Sequence, residues 1–173
     1  AVVWTYQGRI RILQMLPKSL RRQAIRKLLH LEYEIPEGCE FKLAQTQDEL
    51  EAAFGLLYRS HVKNNYQLQN DSGLRLIKHF SLPTTSVLVA KAQGKVVATL
   101  TIIRKTGMGL PIENALDLQE LEQGGKVVAE VGSLAFDPNN HDLASKLRLP
   151  LLKFFWEYIS GYVQIDRIVI AVH

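Results

Sequence analysis

Residues 126–138 read KVVAEVGSLAFDP, and the way this stretch is laid out decides the fold. Val127, Val128, Ala129 and Val131 form the near-continuous apolar run expected of a buried strand. Glu130 interrupts it. A carboxylate in such a place needs a partner or access to solvent, because burying an isolated charge is costly. Simple alternation puts Val127, Ala129, Val131 and Ser133 on one face and Val128, Glu130, Gly132 and Leu134 on the other. Glu130 and Ser133 then point apart. Gly132 is where a β-bulge can sit, and a bulge carries every later side chain across the sheet. With it, Glu130 and Ser133 address one cleft. Two readings stay open: an acid clasped by a buried Arg or Lys for structure alone, or a cleft carboxylate whose pKa, raised by burial, suits a general base.

Working outward, the neighbouring segments give the expected order β-α-β-β-β-α-β. EFKLAQT (40–46) is a short strand. Thr46 and Glu49 form a capping box for a helix over about 47–65, with Leu50, Ala53, Phe54, Leu57, Tyr58 and His61 at helical spacing. LRLIKHF (74–80) is expected to add a helical turn or two. TTSVLVAKAQGKVVATLTIIRK (84–105) is a hairpin turning at Gly94. A loop with two glycines and a proline leads to a short acidic helix near 116–122. DPNNHD is a turn. LASKLRLPLLKFFWEYISGYV (143–163) is helical, with Pro150 in or near its first turns or else kinking it. IDRIVIAVH (165–173) closes as a strand. The chain is expected to continue beyond His173.

With 173 residues, 47% hydrophobic and 22% charged, the chain fits one globular domain. Cys39 stands alone, so a disulfide framework and a multi-cysteine metal site are excluded. No apolar run approaches the ~18 residues of a membrane span, no signal peptide pattern is visible, and a cytoplasmic setting is expected. Of 21 basic residues, seven (Arg9, Arg11, Lys18, Arg21, Arg22, Arg26, Lys27) lie in residues 1–30 without one acidic residue, so the net charge of +4 resides there. Residues 1–38 are read as a basic helical arm and 39–173 as the main domain. In the arm, Leu20, Ala24, Ile25, Leu28 and Leu29 form an apolar stripe opposite the basic face. That face is either solvated, or meets acidic lipid at the inner face of the membrane (through 17–30) or an acidic partner protein. His30, His79 and His141 lack metal-ligand spacing, and no metal is expected. P-loop, dinucleotide and Gly-x-Ser-x-Gly motifs are missing, and no nucleic-acid partner is expected.

LYRSHVKNNYQ (57–67), LPTTSVLVAKAQGKVVATLTII (82–103), GLPIENALDLQELEQGGKVVAEVGSLAFDP (109–138) and the final RIVIAVH together resemble the GNAT acyltransferase superfamily. Within it the likeness is to the bacterial N-acyl amino acid synthases of the FeeM type, relatives of the acyl-homoserine-lactone synthases, and it spans about residues 40–173. The resemblance implies an α+β fold of three α/β/α layers, with a mixed, mainly antiparallel sheet splayed into a V between central strands. It implies transfer of a long-chain fatty acyl group from an acyl carrier protein thioester to the α-amine of an amino acid. The donor is the acyl-phosphopantetheine arm, or acyl-CoA, and no tightly bound cofactor is expected.

Carried onto this chain, the catalytic positions are Glu130 and Ser133. Relatives often carry an arginine beside that serine, where this chain has Leu134. Tyr58, Arg59, Arg104 and Leu134 are therefore the substrate-binding candidates, with Arg59 or Arg104 for the carboxylate. The loop after the strand lacks the glycines that let backbone N–H groups approach a coenzyme A pyrophosphate. Lys146, Arg148 and Lys153 on the next helix are either a solvated face or the contact for an acidic carrier protein. An acetyl-CoA-dependent GNAT enzyme and a non-catalytic lipid- or protein-binding module are the alternatives.

Overall fold

The computed structural model describes residues 34–115 and 117–170. Residues 1–33 of the basic arm, including its stripe at 17–30, the start of the acidic helix at 116 and the last residues of the closing strand lie outside the described residues.

Five strands form one sheet in the order β1 (Cys39–Leu43), β2 (Thr85–Ala92), β3 (Lys95–Arg104), β4 (Val128–Phe136) and β5 (Arg167–Ile170). The first three pairings are antiparallel, and β4–β5 is parallel. The β2–β3 hairpin turns at Gln93 and Gly94, both at positive φ (49° and 78°), as a two-residue primed turn requires. One face of the sheet carries Leu88, Leu100, Ile102, Ala129 and Val131 against helix α3 (His141–Tyr158), through buried Leu147, Leu151 and Phe155. The opposite face carries Val87, Val89 and Ala135 against helix α1 (Gln47–Lys63), whose Ala53, Phe54, Leu56 and Leu57 are buried. The acidic helix α2 is a single turn, Gln119–Glu122. The α/β/α layering expected of the sequence is therefore present.

Thr46 caps α1 as expected, its Oγ1 accepting from the Glu49 N–H at 3.2 Å. Two elements differ from the sequence reading. Residues 74–77 form no regular secondary structure and lead into a 3₁₀ turn, Lys78–Ser81, rather than forming further α-helix. The Arg75 N–H donates to the Phe54 carbonyl at 3.2 Å, which ties this segment to α1. Pro150 falls well inside α3 rather than in its first turns, because Asn140 caps the helix by accepting from the Leu143 N–H. Leu147, Pro150 and Leu151 form one buried stripe, and that apolar packing offsets the backbone hydrogen bond a proline removes.

Candidate functional site

The decisive irregularity lies in β4. Thr99 faces Ala135, but Thr101 faces Gly132, so Ser133 and Leu134 have no partner on β3. This is the expected bulge, with one difference. The residue that takes the left-handed conformation is Ser133, at φ 56°, and not Gly132. A non-glycine residue there is uncommon and clusters at functional sites. Gly132 and Ala135 share a face with Thr99 and Thr101, while Ser133 and Leu134 bow outward at the rim of a cleft.

That cleft has a volume of about 590 Å³. Its floor is Thr101, Ile103 and the stretch Glu130–Gly132, with Ser133 and Leu134 at the rim. One wall is the C-terminal end of α1 with Ser60, His61 and Asn64, another is Arg75 and Ile77, and a third is Pro111, Ile112 and Ala115. Glu130 is 8% exposed. Its Oε2 accepts the Ile112 N–H at 2.7 Å. Among the described residues no Lys, Arg or His forms an ion pair with it. Burial pushes its carboxyl up from the ordinary range, the Ile112 hydrogen bond pulls it down, and the nearby charge of Glu113 pushes it up again. The segment that supplies Ile112 is pinned from outside the cleft. Lys105, at the end of β3, binds Glu113 at 2.7 Å and also Glu122 of α2.

Of the positions singled out from sequence, Glu130, Ser133 and Leu134 come together around the cleft. Tyr58 does not line it: its Oη accepts the Asn70 N–H at 3.0 Å and holds the loop after α1. Arg59 is exposed on α1, with Nη1 3.3 Å from where a Cβ on Gly55 would sit. Arg104 pairs with Ala129, which places it on the sheet face opposite Glu130, and its Nε donates to the Thr84 carbonyl at 3.4 Å. On α3, Lys146 and Arg148 are exposed, Arg148 lies 5.7 Å from the centre of the Phe136 ring, and Lys153 is 3.8 Å from Glu157. His61, at helical spacing on α1, lies on the cleft wall and meets the Tyr66 ring edge-on at 5.7 Å. Arg75 was not foreseen, because a helical reading of 74–80 gives no reason to aim it at β4. Among the described residues no three His, Cys, Asp or Glu side chains gather as a metal ligand set.

The single mixed sheet between helical layers, with a buried acid beside the bulge of its fourth strand, fits the GNAT-type acyltransferase fold expected from the sequence. The family described as N-acyl amino acid synthase FeeM matches residues 52–173, and the chain belongs to that family. It is similar to the structure of FeeM, an N-acyl amino acid synthase from uncultured soil microbes: TM-score 0.66, 18% identity, covering 78% of this chain and 73% of that one. It is also similar to a ribosomal-protein-alanine N-acetyltransferase from Brucella melitensis biovar Abortus 2308, with TM-score 0.50, 11% identity and coverage of 78% and 80%. At such identities these two likenesses speak for the fold. No curated protein matches the sequence. The family and fold expected from the sequence are those found, and the protein is an N-acyltransferase. No described helix is long and apolar enough to cross a membrane.

Proposed function

We propose that the protein moves a long-chain fatty acyl group from an acyl carrier protein thioester to the α-amine of an amino acid, with Glu130 as general base. The observation that carries this reading is the state of Glu130: buried at the floor of a cleft, held by one backbone N–H, and without a described cation. A carboxylate with a raised pKa, set where a substrate can enter, is suited to accept a proton from an ammonium group.

The chemistry then runs as follows. Glu130 takes one proton from the acceptor's ammonium, and the freed amine attacks the thioester carbonyl. The C–N bond forms as the C–O π pair moves onto oxygen. In this reading the oxyanion is assigned to backbone N–H groups at the bulge, where Ser133 and Leu134 leave the β3 register. Collapse of the intermediate breaks the C–S bond. Of the two protons the nitrogen has lost, one ends on the departing thiolate and the other in solvent.

Two features favour a carrier-protein donor over coenzyme A. The N-terminus of α3, where a pyrophosphate would sit, is occupied by the protein's own groups. Asp137 Oδ1 accepts from the Asn139 N–H at 3.0 Å, Asn140 Oδ1 accepts from the Leu143 N–H at 3.1 Å, and Asp142 adds a charge to the first turn. Carboxylates there repel a pyrophosphate. Second, α3 exposes Leu149 (45%) and Leu152 (40%) among Lys146, Arg148 and Lys153, an apolar patch ringed by positive charge that suits an acidic partner. For the acyl group, exposed Leu134 and Ile170 extend the cleft's apolar lining at its rim. Incubation with long-chain acyl carrier protein, acyl-CoA or acetyl-CoA and a pool of amino acids, followed by mass spectrometry, tests the reading. N-acyl amino acid from the carrier-protein donor is the expected product, and no product from any donor defeats it.

A further inference from the structure

Arg75 is a cation in an unusual position. It lines the cleft that Glu130 floors, it is half-buried, and its backbone is fixed by the Phe54 carbonyl. Its guanidinium meets only a neutral side chain: Nη1 donates to Gln67 Oε1 at 2.9 Å. No described carboxylate pairs with it. Burial lowers its pKa with no acidic neighbour opposing the shift. Arginines are seldom withdrawn from water without an anion, and the side chain carries five N–H donors in a planar fork that matches a carboxylate. Gln67 engages one of the two terminal nitrogens and steadies the fork.

We propose that Arg75 is the anchor for the acceptor's α-carboxylate, so that the cleft recognises an amino acid by both of its charged ends. The inference rests on the acyl-transfer reading above and deepens it. An α-amino acid held this way gives its carboxylate to Arg75 on one wall and its ammonium to Glu130 on the floor. The nitrogen is thereby turned toward the bulge, where the thioester would lie. Arg59 and Arg104, the candidates for this role by sequence, sit off the cleft. A simple amine satisfies Glu130 alone and leaves Arg75 without its anion, so the site should prefer amino acids over the matching decarboxylated amines.

The test compares ligands before it compares variants. N-dodecanoyl derivatives of a panel of amino acids, each as the free acid and as the carboxamide, are titrated into the wild-type protein by calorimetry. Acid is expected to bind roughly 10–100-fold more tightly than amide, the range for a charge-assisted, bidentate contact in a sheltered site. Arg75→Met should erase the difference, and Arg75→Lys should keep part of it, with thermal melts confirming that both variants fold. Equal binding of acid and amide by the wild type overturns the inference, as does discrimination that survives in Arg75→Met. A parallel transfer assay separates the two ideas. Acid-over-amide preference without any acyl transfer leaves Arg75 as a carboxylate site and defeats the enzyme reading. Transfer to amino acids and to their decarboxylated amines at equal kcat/KM defeats Arg75 and leaves the enzyme reading intact.

Discussion

Two glutamates in this domain are almost equally hidden from solvent, Glu49 at 7% exposed and Glu130 at 8%, yet their surroundings drive them in opposite directions. At the start of α1, Glu49 Oε1 meets Lys42 Nζ at 2.8 Å and Lys91 Nζ at 3.0 Å, while Oε2 accepts the Gln45 N–H at 3.0 Å. The Gln45 hydrogen bond, then Lys42 and Lys91, hold its pKa down at about 2. Glu130 receives one N–H and no described cation, and burial drives its pKa up. The first arrangement pins β1, β2 and α1 together. The second leaves a buried carboxylate with one hydrogen bond and no described cation. Burial alone therefore says little about an acid; the number and charge of its partners tell a structural carboxylate from a chemical one.

The sharpest way to break this comparison is to remove one charge at a time. Glu130→Gln keeps an acceptor for the Ile112 N–H but cannot take a proton, so acyl transfer should fall by ~10²–10⁴-fold, the usual contribution of a general base. Folding should be preserved or slightly improved, since the neutral amide removes a desolvated charge. Steady-state amide formation and a thermal melt read both quantities. Near-normal turnover by this variant would return Glu130 to a structural role.

The converse change is Glu49→Ala. It leaves Lys42 without its acidic partner, Lys91 with only Glu40 at 3.6 Å, and the Gln45 N–H without its acceptor, so Tm should fall by several degrees while kcat per folded molecule holds. The pH dependence supplies its signature. The folded pKa of Glu49, about 2, lies below its ordinary value of 4.5. Its stabilising effect is therefore complete above pH 4.5 and fades as pH drops toward 2. The variant should lose the part of acid unfolding that lies in this window. An unaltered acid limb would mean that the cluster contributes nothing to stability.

Much of this contrast was legible before any coordinates. Thr46 and Glu49 announce the start of α1, and the Thr46 cap is present, because a capping box depends only on residues three apart. The Gln93–Gly94 turn and the β-branched apolar runs of β2 and β3 are equally local signals. The interruption at Glu130 marked a strand that lines the cleft, and Gly132 marked the bulge to within one residue. What escaped depends on contacts distant in sequence. Glu49's cations come from β1 and β2, and the Ile112 N–H that receives Glu130 lies on a turn 18 residues away. Arg75 lines the cleft on a segment whose backbone is tied to Phe54. Short-range periodicity carries no trace of such ties, so 74–77 reads as helix. Arg59 and Arg104 were candidates to replace the arginine that relatives carry beside the serine, but helix and strand phase direct them away from the cleft.

The finest adjustment of the contrast lies in Glu113. It raises the pKa of Glu130 through its charge without touching the carboxylate, and Lys105 holds it in place on the turn that supplies the Ile112 N–H. Activity that needs ionised Glu130 must rise with pH through the folded pKa of that group, which lies above 4.5. Glu113→Gln removes one of the two influences that push this pKa up, so the acidic limb of kcat/KM should move to lower pH, with a small change in the plateau. Lys105→Met does the reverse: it leaves the charge of Glu113 uncompensated near Glu130, and the limb should move to higher pH. Opposite displacements of one limb by these two substitutions distinguish electrostatic tuning from mere loosening of the turn, which would lower the plateau in both and move the limb in neither. Both displacements should vanish in a Glu130→Gln background, since the limb itself belongs to Glu130.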